Sequence, residues 1–289
     1  LRSWLPCPKC CIEASRSSRS KPDPNGWSNP RPTTIDDAMT SPYQWNARDY
    51  EKHSSGQLKW ALELIARLRL NGSESVVDLG CGDGKVTAEL ADRVPMGRVL
   101  GIDSAPSMVE LARQKFPPHR HSNLHFACLD FRELEFKEEF DLAFSNAALH
   151  WVKDQRRVLI RVAQALRTGG RLLFQMGGAG NARQVIEVIN EMIARGAWKH
   201  WFTDFDFPYG FYHPHDYERW AVEAGLRLLQ NELIAKDMVH EGISGLAGWI
   251  RTTWMPYLDR LPPTDRDVFV RTLCEEFLRR HPSDEAGRV

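Results

Sequence analysis

Asp78-Leu79-Gly80-Cys81-Gly82-Asp83-Gly84 brings together the residue types that can hold a nucleotide-like ligand. Glycines at alternate positions let the backbone turn without Cβ clashes and come close to a ligand. The β-branched run Ser75-Val76-Val77 before them reads as a strand, and Thr87-Ala88-Glu89-Leu90-Ala91 after them as a helix. The N-terminal turn of such a helix offers unpaired N–H groups to an anionic part of a ligand. A second apolar run, Arg98-Val99-Leu100-Gly101-Ile102, ends in Asp103, where a carboxylate can accept hydrogen bonds from a ribose diol. Strand, glycine loop, helix, strand and acid in that order suit a nucleotide cofactor.

NAD and S-adenosylmethionine both call for that acid. A dinucleotide fingerprint reads GxGxxG, and here Lys85 stands at its third glycine, so the spacing is GxGxG. With Asp78 ahead of the glycines, Asp103 after Gly101-Ile102, and Ser104-Ala105-Pro106-Ser107-Met108 opening the next helix, the pattern resembles the class I S-adenosylmethionine-dependent methyltransferases. The likeness runs from about Gln44 to Arg288. WNARDYEKHSSGQLKWALELI, NAALHW and WIRTTWMPYLDRLP are similar to segments of the trans-aconitate methyltransferase group.

The resemblance implies roles residue by residue. Asp78, Gly80, Gly82 and Gly84 hold the methionine end of the cofactor; Asp103, followed by Ser104 and Met108, serves the ribose; Asp130 and Phe131 contact adenine; Asn146 faces the sulfonium; Gln57 reaches over the cofactor. Glycines can equally just turn the chain, and Asp130 or Asn146 can just cap a helix. His150 and Trp151 follow the fourth strand, where the acceptor meets the methyl group. His150 is a base only if the acceptor is a hydroxyl, amine or carbon acid, and otherwise positions or packs. For a carboxylate acceptor, already ionised at neutral pH, the expected clamp is Arg183 and Arg251 with Tyr257 as donor, and Tyr50 on the N-terminal segment as a further substrate contact.

The elements that must position these groups alternate. Apolar periodicity predicts a helix ahead of Asn71-Gly72, then strands at 75–77, 98–102, 124–128, 140–145 and 171–176 interleaved with helices at 85–93, 106–115 and 154–167. That succession is an α/β, doubly wound, mostly parallel Rossmann-like sheet whose carboxyl edge binds the ligand. The cofactor-binding core spans about 72–180. A substrate-covering part, about 181–289, holds helices at 181–194 and 214–224, a sixth strand at 226–235, and further helices over 241–281. The aromatic run from Trp198 to Tyr212 reads as a lid or a pocket wall.

Two expectations concern the ends. Residues 1–38, rich in Ser, Arg and Pro, read as a disordered leader: a targeting peptide or upstream sequence, with Met39 as initiator and 39–289 as the methyltransferase domain. Class I sheets usually add an antiparallel strand between the fifth and sixth; none is legible before Val289, so that strand is expected to be missing.

Lys plus Arg equals Asp plus Glu at 38 each, which gives no electrostatic case for nucleic acid or an anionic membrane as partner. A small-molecule substrate is favoured, and the sequence leaves the oligomeric state open. Six cysteines without a paired framework suit a reducing cytoplasm, and Cys7, Cys10 and Cys11 supply just half of a zinc-site spacing, so no metal is expected. The alternatives to a methyltransferase are a catalytically silent scaffold of the same fold and an NAD-dependent dehydrogenase.

Overall fold

The computed structural model describes residues 5–6, 9–16 and 55–289. Its centre is a seven-stranded sheet. The strands are β2 (Lys9–Arg16), β3 (Ser75–Leu79), β4 (Arg98–Asp103), β5 (Leu124–Cys128), β6 (Phe140–Asn146), β7 (Leu166–Gly177) and β8 (Leu226–Ile234), in the spatial order β5-β4-β3-β6-β7-β2-β8. A two-residue ladder pairs β1 (Leu5–Pro6) with β9 (Asp237–Met238). All of the main strands are parallel except β2, which runs antiparallel to both β7 and β8.

The parallel strands have helices on both faces, so they are apolar almost throughout; every residue of β3 is buried. Helices α1 (Ser55–Ile65), α2 (Lys85–Arg93) and α3 (Pro106–Lys115) pack on one face through Leu64, Ile65, Leu90 and Val109. On the other, α4 (Gln155–Ala165) and α6 (Pro214–Glu223) bury Val158, Leu159, Tyr217 and Trp220. A third core gathers α5 (Arg183–Ala194), α7 (Gly242–Thr253), α8 (Met255–Leu258) and α9 (Pro263–Arg280) over the carboxyl edge. No helix among the described residues is long and apolar enough to cross a membrane.

Strand β2 corrects the reading of the N-terminus. The antiparallel strand expected to be missing is present, and it comes from residues that composition assigned to a disordered leader. Lys9 pairs with Gly177 and Ile234, Ile12 with Phe174 and Asn231, and Ser15 with Arg171 and Arg227. Cys10, Cys11, Ile12 and Ala14 are fully buried. Eight residues were hidden by the average over thirty-eight, because the short apolar run Cys10-Cys11-Ile12 is diluted by the polar residues around it. Met39, Tyr50 and Cys7 lie outside the described residues.

Candidate active site

The carboxyl ends of β3, β4, β6 and β7 converge on two adjoining cavities, one larger than the other. Gln57, Gly80, Gly82 and Asn146 line both. The larger adds Asp103, Met108, His150 and Trp151, and the smaller adds Asp78.

The glycine loop is built for close approach. Gly80 has φ 75°, and a Cβ there would lie 2.2 Å from the Ala148 methyl, so any side chain would break the packing of the β3 loop against the β6 loop. Gly84 lines neither cavity. It caps α2 at φ 81°, and a Cβ on it would press on the Phe126 ring at 2.8 Å, so its role is helix–sheet packing.

Asp103 organises this loop. Its Oδ2 accepts the Gly82 N–H at 3.0 Å and its Oδ1 accepts the Ala105 N–H at 2.9 Å. Each oxygen keeps a lone pair for a hydroxyl of a bound ribose. Asp78 is buried, and its Oδ2 accepts a hydrogen bond from the Thr87 hydroxyl at 2.7 Å. Burial pushes its pKa up to about 7, with the Thr87 bond opposing and the Asp103 charge adding to the rise. Asp78 and Asp103 thus face the cavities from the glycine-loop side, an acidic lining that fits the ribose and the cationic groups of S-adenosylmethionine.

Asn146 is fixed from two directions, its Nδ2 donating to the Gln57 carbonyl at 3.1 Å and its Oδ1 accepting from Gln175 at 2.9 Å. This tie joins α1 to β6 and β7 across the cavity floor.

His150 is buried, and its Nδ1 accepts the Gly177 N–H at 3.3 Å. The neutral ring therefore carries its proton on Nε2. Burial, helped by the Lys9 charge, lowers its pKa to about 3. The Trp151, Tyr209 and Phe211 rings surround it at centroid distances of 5.9, 6.5 and 5.8 Å. Within the aromatic run, Tyr209 and Phe211 pack against His150, while Trp198 and Phe202 pack on Phe269 and Phe205 on Tyr257; none of Trp198 to Tyr212 lines the two cavities.

Other expected contacts are not brought to the cavities. Asp130 caps a 3-10 turn through the Arg132 N–H and is ion-paired with the Arg132 guanidinium, while Phe131 is buried in the core beneath Gly80. Ser104 lines neither cavity. Arg183 and Arg251 are exposed, so the predicted acid clamp is not assembled by these side chains. Helical phase explains Arg251: Trp249, Thr252 and Thr253 face the larger cavity, and a residue two positions beyond Trp249 falls on another side of α7. Tyr257 is buried between Phe202, Phe205 and Trp254, where burial takes its hydroxyl above the usual tyrosine range.

Lys9, Trp60 and Met238 also line the larger cavity, and sequence reading assigned none of them. Trp249, Thr252 and Thr253 had a signal in their helical spacing; Lys9 had none, since its place depends on pairing with residues far along the chain.

Comparison with known proteins agrees with this geometry. Residues 76–170 match a family described as a methyltransferase domain. The chain is 34% identical over 197 residues to an uncharacterized methyltransferase of Schizosaccharomyces pombe, covering 66% of this chain and 74% of that protein. It is 28% identical over 252 residues to a trans-aconitate 2-methyltransferase of Escherichia coli, covering 85% and 93% respectively. The structure of the Bacillus subtilis YcgJ protein shares the fold, with a TM-score of 0.54 and 20% identity over 79% of this chain and 86% of that one. The chain belongs to the class I S-adenosylmethionine-dependent methyltransferases.

Proposed function

We propose that this methyltransferase acts on a carboxylate oxygen of a small acid bound in the larger cavity. Bound S-adenosylmethionine supplies a methyl group already activated on a sulfonium, which is displaced in line by a nucleophile. The chain's own task is then to align the two reactants, a contribution of roughly 7 to 11 kcal/mol in well-oriented systems.

The observation that carries the acid reading is the state of His150. It stands on the wall of the acceptor cavity, yet burial holds its pKa at about 3 and its Nδ1 is engaged by Gly177. Such a group donates from Nε2 and does not collect protons near neutrality. An acceptor that must lose a proton, such as an alcohol, finds no poised base in His150, whereas a carboxylate arrives ionised. Trp151, Trp249 and Met238 give the remaining wall an apolar surface suited to a short carbon skeleton. The relative named for trans-aconitate supports the same substrate class.

His150→Phe removes the Nε2 donor and is expected to lower kcat/KM for an acid acceptor about tenfold, the worth of one hydrogen bond to a charged group. The shape of the pH profile should be unchanged, because a group with a lowered pKa near 3 stays neutral throughout the assay range. A limb near pH 6 to 7 that disappears on substitution would instead make His150 a general base and contradict the reading.

A further inference from the structure

We infer that Lys9 is the anion-binding group of the acceptor cavity, so that the N-terminal strand β2 supplies the recognition of a carboxylate. The identity of that anion as the methyl acceptor rests on the function proposed above; the anion site itself rests on the following geometry.

Because β2 is antiparallel to its neighbours, its first residue lies at the carboxyl edge of the sheet, opposite Gly177 at the end of β7. Gly177 also donates its N–H to His150, so one residue sets both Lys9 and His150 against the same cavity. Lys9 is 5% exposed, and its ammonium sits 4.7 Å from the centroid of the Trp60 ring, itself a wall of the cavity. Lys236 approaches the same ring at 5.6 Å, but its charge is met by Glu63 at 2.7 Å. No carboxylate among the described residues forms an ion pair with Lys9.

A buried ammonium with no counter-ion among the described residues loses much of its hydration, and an indole face returns only part of it. A carboxylate entering the cavity restores the missing charge. The Lys9 ammonium and the His150 Nε2–H offer it donors of two kinds, while the acids Asp78 and Asp103 lie toward the glycine loop and leave that side to the cationic cofactor. The ligand class that fits is a small di- or tricarboxylate, one carboxylate held at Lys9 and another presented for methylation.

The test uses the full chain saturated with S-adenosylhomocysteine and titrated calorimetrically with tricarballylate, an unreactive tricarboxylate. Lys9→Gln and Lys9→Met, the latter keeping the aliphatic packing, are expected to weaken tricarballylate binding at least tenfold. Lys9→Arg should restore most of it, and S-adenosylhomocysteine affinity should stay at the wild-type value in all three. With an acid that the wild type methylates, Lys9→Met should raise KM and leave kcat nearly unchanged. Wild-type protein that ignores tricarballylate, or folded Lys9→Gln and Lys9→Met that bind it as the wild type does, would overturn the inference. If no acid is methylated but tricarballylate binding still depends on Lys9, the proposed acceptor falls and the anion site stands. If acids are methylated with a KM indifferent to Lys9, the anion site falls and the function stands.

Discussion

Deleting residues 1–16 is expected to abolish cooperative unfolding. Among the described residues β2 is the sole hydrogen-bonded link between β7 and β8 in the sheet, so its removal leaves two facing edges unpaired and a slot where Cys10, Ile12 and Ala14 had filled the core. Unpaired edges of this length are templates for aggregation. The loss should exceed the roughly 5 to 15 kcal/mol that keeps a domain folded. A graded version separates the strand from the deletion: Ile12→Val should cost about 1 kcal/mol as a small cavity, whereas Ile12→Asp places an uncompensated charge at a fully buried position and should unfold the protein or come close to it. Differential scanning calorimetry reads both. A deletion variant with a wild-type melting temperature would mean that residues 9–16 contribute nothing to the sheet.

Asp103→Ala should weaken S-adenosylhomocysteine binding by about 10- to 150-fold, the range for hydrogen bonds to a charged group of about 1.5 to 3 kcal/mol. Two effects combine. The ribose hydroxyls lose their acceptor, and the Gly82 and Ala105 N–H groups lose the oxygens that hold the loop in its ligand-ready shape. The second effect should also lower the melting temperature, by a few degrees for each kcal/mol in a chain of this size. Asp103→Asn keeps one oxygen and should fall between. An unchanged dissociation constant in an Asp103→Ala protein with a wild-type circular dichroism spectrum would exclude Asp103 from the cofactor site.

What could be read from the sequence follows from the range of the interactions involved. The β3 loop and Asp103 were legible because strand, glycines and acid lie within about thirty residues, and the chain's local preferences coincide with the fold there. Asn146, His150 and Trp151 were legible as positions after a strand. The roles of Arg183, Arg251 and Tyr257 were not, because residue type suggested a clamp while both arginines are exposed, Arg251 by helical phase, and core packing encloses the tyrosine. Lys9 was the hardest to see. Its place depends on register with Gly177 and Ile234, partners more than 160 residues away, and nothing in Cys-Cys-Ile-Glu-Ala-Ser-Arg by itself distinguishes an internal strand from a tail. A further difference lies at the fourth helix, which ends at Ala165, two residues short of the predicted 154–167; Leu166 already pairs with Phe140.

The most direct measurement is transfer of a labelled methyl group from S-adenosylmethionine to a panel of small acids, alcohols and amines by the full chain, followed by alkaline treatment of the products. Methylation of a carboxylate oxygen gives an ester, so the label should appear with a di- or tricarboxylic acid and be released as methanol in base. Label that transfers only to an alcohol or an amine and survives base would contradict the account.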